Sequence, residues 1–132
     1  MSRSRALHFI PGVIWLIIIF ILLTLPGPDI PKSNFFDIVY FDKWVHIGLF
    51  GILMILWGYP FLRSGAASKN LLAFIAVCSV LYGITMEFVQ KYFAIERSFD
   101  LFDMVADSIG VIIAWLWLIN QIKKQNIKNK PL

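Results

Sequence analysis

The chain has 132 residues, of which 59% are apolar and 15% charged, and it carries a formal net charge of +4. Globular domains hold roughly 25% charged and roughly 45–50% apolar residues, so the composition excludes a soluble domain, a disordered chain, a coiled coil and a collagen-like fibre. A lone cysteine, Cys78, excludes an internal disulfide scaffold.

The class left standing is an all-α integral membrane bundle. A helix must run about 20 residues to cross a hydrocarbon layer about 30 Å thick. Four stretches do so: Ala6–Leu25, Trp44–Leu62, Leu71–Gln90 and Asp103–Ile122. They lack the alternation of a barrel strand and are about twice its length. Arg3 and Arg5 before the first stretch also suit a signal peptide. However, Leu23-Thr24-Leu25-Pro26 offers no small-x-small cleavage pattern, and Pro11 stands near the start, where a helix tolerates it, so a retained helix is expected. Between the first two stretches, Pro26–Lys43 carries Phe35, Phe36, Ile38, Val39, Tyr40 and Phe41. Ser33 or Asn34 is placed to cap a short helix there, on the membrane surface. Residues 1–132 are expected to form a single transmembrane domain.

Charge placement predicts the orientation. With both termini on one side, that side holds Arg3, Arg5, Arg63, Lys69, Lys123, Lys124, Lys128 and Lys130 and no acid. The other side holds Lys32, Lys43, Lys91 and Arg97 with every acid of the chain: Asp29, Asp37, Asp42, Glu87, Glu96, Asp100, Asp103 and Asp107. Basic residues in short loops stay in the cytoplasm, which puts both termini there and the acids outside. The positive balance is thus a topology signal and does not point to nucleic acid. Tyr40, Phe41, Trp44, Tyr92 and Phe93 fall at the outer interface and Trp57, Tyr59 and Trp117 nearer the inner one, as an aromatic belt requires. The Lys-rich tail suits contact with anionic lipid.

Each stretch but the first carries ionisable groups at its outer end. Asp42 and His46 stand four apart, on one face of the second. Glu87 continues a stripe of Ser79 and Gly83 and is followed by Gln90 one turn later. On the fourth, Asp100, Asp103, Asp107, Gly110 and Ala114 follow one helical face, acidic above and small below. Small residues let helices approach closely in lipid, so acids on those faces are expected to point into the bundle. Asp107 sits about 6 Å deeper than Asp103, where an isolated charge costs about 2.5–3.5 kcal/mol. Lys43, Arg97 and His46 are the candidate counter-charges.

Asp42-Lys43-x-x-His46, then Glu87-x-x-Gln90, then Arg97 followed by Asp103 and Gly110, resembles the signature of the VanZ-like family, small bacterial membrane proteins named for a teicoplanin-resistance factor. The resemblance runs from about Asp42 to Ala114. It departs at Asp107, where the family usually has asparagine, and at Ala114, where it often has glycine. It implies a multi-pass protein of the bacterial cytoplasmic membrane with an envelope role linked to glycopeptide resistance, and no established reaction.

The residues predict a polar pocket opening outward, walled by Asp42, Lys43, His46, Glu87, Gln90, Arg97, Asp103 and Asp107. Lys43 and Arg97 would attract an anionic or polar group, such as a lipid-linked cell-wall component, and His46 with the carboxylates would orient it. His46 is expected to bond Asp42 or a backbone carbonyl. A second reading is a membrane enzyme in which His46 or Glu87 does acid–base work on a lipid headgroup. A third is a structural or accessory subunit in which an ion network locks the helices. Glu87, Asp103 and Asp107 with His46 suit a divalent cation, but no dense ligand motif such as H-E-x-x-H occurs, so neither metal nor cofactor is expected. Cys78 reads as a small hydrophobe, and Ser108 lies off the acidic face.

Overall fold

A computed structural model describes residues 6–25, 41–94 and 99–128. They form four long helices and, among the described residues, no strand. A 3-10 turn, Leu7–Phe9, leads into α1 (Ile10–Thr24), followed by α2 (Phe41–Arg63), α3 (Lys69–Phe93) and α4 (Leu101–Lys128). All four are long and apolar enough to cross a membrane. Each covers its predicted stretch to within a few residues, except at the end of α4. That helix continues past Ile122 through Lys123–Lys128, because lysine, glutamine and isoleucine sustain a helix beyond the apolar run. Most of the Pro26–Lys43 segment, with its proposed surface helix, and Arg97 lie outside the described residues.

Local chemistry sets the ends. The Ser68 hydroxyl accepts from the Leu71 amide at 3.1 Å and caps α3. After α2 the chain reverses in a Schellman turn. Ala66 N–H reaches Phe61 O at 3.0 Å and Gly65 N–H reaches Leu62 O at 3.2 Å, which requires the left-handed φ of +72° that glycine supplies. The short connection makes α2 and α3 antiparallel neighbours.

Contacts along the bundle give an up-down-up-down order. Phe9 stacks near Trp57 and Phe61, with centroids 5.8 and 5.1 Å apart, so the start of α1 meets the end of α2. At the other end, the Gln90 amide donates to Leu23 O at 2.9 Å. Midway, Trp15 Nε1 donates to Leu49 O and Tyr82 OH to Leu16 O, both at 2.9 Å. These bonds and the ring contacts tie α1 to α2 and α3. The interior is apolar through Ile19, Phe50, Leu53, Met54, Leu72, Val111 and Leu118, while Ile17, Phe74, Leu81, Phe102 and Ile113 are exposed and suit a lipid surface.

The closest helix approach is between α2 and α4. A Cβ on Gly110 would run into the Ile47 carbonyl oxygen, and one on Gly51 would lie 3.3 Å from the Gly110 oxygen. Glycine is used here for backbone proximity. The crossing carries His46, one residue before Ile47, against Asp107, one turn before Gly110.

Candidate functional site

Six side chains predicted to share a site come from three helices and meet at one end of the bundle. α2 supplies Asp42, Lys43 and His46, α3 supplies Glu87, and α4 supplies Asp103 and Asp107. Gln90 is one turn beyond Glu87 and faces α1 through its bond to Leu23 O, so it ties helices together beside the cluster. Arg97 lies outside the described residues.

His46 is the centre. Its Nδ1 lies 2.8 Å from Asp107 Oδ1 and its Nε2 lies 3.9 Å from Asp103 Oδ2. The expected His46–Asp42 pair does not form. Asp42 and His46 do share a helix face, but Asp42 occupies the first turn at the rim with its side chain 61% exposed. The α2–α4 approach at Gly110 instead brings Asp107 against the imidazole. Exposure falls to 3% for His46, 0% for Glu87 and 1% for Asp107. Gly83 makes room for this: a Cβ there would lie 2.7 Å from Asp107 Oδ2. The Ser79–Gly83–Glu87 stripe is buried throughout.

Above this layer, the Lys43 ammonium donates to Asp100 Oδ2 and Asp103 Oδ1 at 2.5 Å each and pairs with Asp42 at 2.9 Å. Asp100 does several jobs. Its backbone N–H donates to Glu87 Oε2 at 3.0 Å, and its Oδ1 accepts from the Phe102 amide at 2.8 Å, capping α4. The Lys43 ammonium beside Asp100 holds its carboxyl below the usual carboxylate range. Asp100 belongs to the cluster although only its place on the acidic face pointed to it, because its backbone contact with Glu87 has no sequence signal.

Two buried oxygens, Glu87 Oε1 and Asp107 Oδ2, have no hydrogen-bond partner among the described residues. Buried polar atoms almost always find one, and an unmet acceptor in the interior costs about 1–3 kcal/mol. One ligand atom from each of His46, Glu87 and Asp103 falls within 4.8 Å of the other two. Among the described residues, His46 packs against both Asp107 and Asp103. A separate groove lies lower, among Leu16, Leu53, Trp57, Phe74, Cys78 and Tyr82; it is apolar and away from the ionisable groups. Ser108 bonds its own helix at Met104 O and takes no part.

No family model matches the chain, and no solved structure matches it. An uncharacterized protein of the fission yeast Schizosaccharomyces pombe is 36% identical over 77 residues, which is 57% of this chain and 44% of that protein. The chain therefore spans less than half the length of that relative. These findings overturn the resemblance to the VanZ-like family and leave the implied bacterial envelope role and glycopeptide resistance without support. The spacing that carried the resemblance follows from geometry. Polar residues one turn apart, with glycine below them, are what any bundle needs to bury a charged cluster between close helices.

Proposed function

We propose that this chain is a multi-pass membrane protein that captures a positively charged group at the extracytoplasmic end of its bundle, with His46, Glu87, Asp103 and Asp107 inside the site and Asp42, Lys43 and Asp100 around its rim. The carrying observation is the charge imbalance. Among the described residues four carboxylates pair with one lysine and one histidine, a fifth, Glu87, has an oxygen within 4.8 Å of a His46 nitrogen, and two of the carboxylate oxygens are buried without a partner. An ammonium has three donors, and Lys43 directs them at three carboxylates, which argues against the anionic ligand expected from its charge. The bare carboxylate oxygens suit a cation.

The orientation rests on the placement of bases and acids. Arg63, Lys69 and Lys123–Lys128 lie at the end away from the cluster, and the positive-inside rule assigns that end to the cytoplasm. Single cysteines replacing Asp42 or Lys124, in a Cys78→Ser background, test it with an impermeant maleimide. Position 42 should label on intact cells and position 124 only after permeabilisation; the reverse pattern contradicts the assignment.

Capture is tested by thermal unfolding of purified protein in detergent with ethanolamine, choline, Mg²⁺, Mn²⁺ or Zn²⁺ added. A ligand at about 100 times its Kd adds about 2.7 kcal/mol, so at least one cation should raise the melting temperature, and Glu87→Gln with Asp103→Asn should abolish the rise. No rise with any cation, or an equal rise in the double variant, refutes the reading. The His46–Asp107 bond favours a second reading, a membrane enzyme with His46 as an oriented base. Turnover of lipid-linked substrates that His46→Gln abolishes would support that one.

A further inference from the structure

His46, Glu87 and Asp103 each have one polar atom fixed by a neighbour and one left free. His46 Nδ1 is bonded to Asp107 Oδ1 at 2.8 Å, leaving Nε2. Asp103 Oδ1 is held by Lys43, leaving Oδ2, which lies 3.9 Å from His46 Nε2. Glu87 Oε2 accepts the Asp100 backbone N–H at 3.0 Å, leaving Oε1, a fully buried atom without a partner among the described residues. Three donors, one from each residue, already lie within 4.8 Å of one another.

We propose that His46, Glu87 and Asp103 together bind a divalent metal cation, of the Zn²⁺ or Mn²⁺ type, through the atoms their neighbours leave free. This rests on the reading of the cluster as a cation site and names its ligand. Metal-bound imidazoles almost always give their other nitrogen to a carboxylate or carbonyl, which fixes the tautomer and turns the free nitrogen to the ion. The His46–Asp107 bond has that form. Ligand distances of about 2.0–2.2 Å leave two donors on one ion at most about 4.4 Å apart, so donors within 4.8 Å of one another need to draw in by no more than about half an ångström. One nitrogen and two oxygens suit Zn²⁺ or Mn²⁺. They fall short of the 6–8 oxygens that Ca²⁺ takes. The neighbouring trio of Asp42, Asp100 and Asp103 is also compact enough, but the Lys43 ammonium already bonds all three.

Full-length protein, purified in detergent and stripped with chelator, is titrated with Mn²⁺ and read by pulsed electron paramagnetic resonance, with Zn²⁺ as calorimetric ligand and competitor. One ion per chain should bind, with nitrogen hyperfine coupling from a single imidazole that Zn²⁺ displaces. His46→Gln should erase the coupling, while His8→Gln should leave it. Glu87→Gln and Asp103→Asn should each weaken binding at least tenfold, and Asp107→Asn, which keeps the shape but loses the anchoring charge, about 10–100-fold. Absence of saturable binding in the wild type overturns the proposal, as does a nitrogen coupling that survives His46→Gln. Should ethanolamine or choline stabilise a protein that binds neither metal, the metal site falls while cation capture stands. Should no cation bind, both fall.

Discussion

Replacing Gly110 by alanine strikes the helix crossing on which the site depends. An added Cβ would run into the Ile47 carbonyl oxygen and approach Ile47 C and Gly51 N to 3.0 Å. All three are backbone atoms, so no rotamer change relieves the contact and α2 and α4 must separate. Carbon contacts settle at about 3.5–4.0 Å, which sets the separation at roughly half an ångström or more. Overpacking of this kind costs about 1–3 kcal/mol. Alanine also favours the helix by about 0.8–1 kcal/mol over glycine, and Gly48→Ala controls for that gain, because a Cβ at Gly48 meets nothing within 4 Å. The difference between the two variants therefore isolates the clash. At about 4 °C per kcal/mol, Gly110→Ala should melt about 4–12 °C below Gly48→Ala by far-UV circular dichroism in detergent. Equal melting temperatures, or a Gly48→Ala variant that melts lower, would refute the close approach.

In metal-free protein, Glu87→Gln should raise the melting temperature, because one amide oxygen keeps the Asp100 N–H bond while the amide donor replaces an unpartnered acceptor worth about 1–3 kcal/mol. Lys43→Met should destabilise by about 3 kcal/mol, read from denaturant midpoints in mixed micelles, since it strips the counter-charge from the buried Asp103 as well as from Asp100. Gln90→Leu removes the bond to Leu23 O and should speed amide exchange in the last turn of α1, at a cost of about 1 kcal/mol. Asp100 has a folded-state pKa below its unfolded value, so its contribution is complete above about pH 4 and is lost as the pH falls through the lowered value. The wild type should lose melting temperature across that acidic window more steeply than Asp100→Asn.

The four long helices were legible because an apolar run of about 20 residues without strand alternation favours a helix long enough to cross a membrane. The buried faces were legible too. Helical periodicity alone put Asp103, Asp107, Gly110 and Ala114 on one side of α4, and Ser79, Gly83 and Glu87 on one side of α3, and these are buried. Lys43 and His46 were legible as counter-charges for the acids, but which acid each would meet was not. Spacing along α2 joined His46 to Asp42, but periodicity describes one helix at a time and is blind to what a neighbour brings. The glycine crossing delivered Asp107, and Lys43 took Asp42, Asp100 and Asp103 at once. Nor does a sequence reveal that a backbone N–H will occupy one oxygen of Glu87 and leave the other bare. Family resemblance failed for the same reason that periodicity succeeded, since the spacing it used is common to buried polar clusters.

Side chains from separate helices act as one unit, and a double-mutant cycle on His46 and Asp107 measures that directly. His46→Gln, Asp107→Asn and the double variant are unfolded reversibly in mixed micelles under one set of conditions. A buried pair at 2.8 Å should show a coupling of about 1–3 kcal/mol. Additivity to within about 0.3–0.5 kcal/mol, as for residues without shared partners, would contradict the cluster.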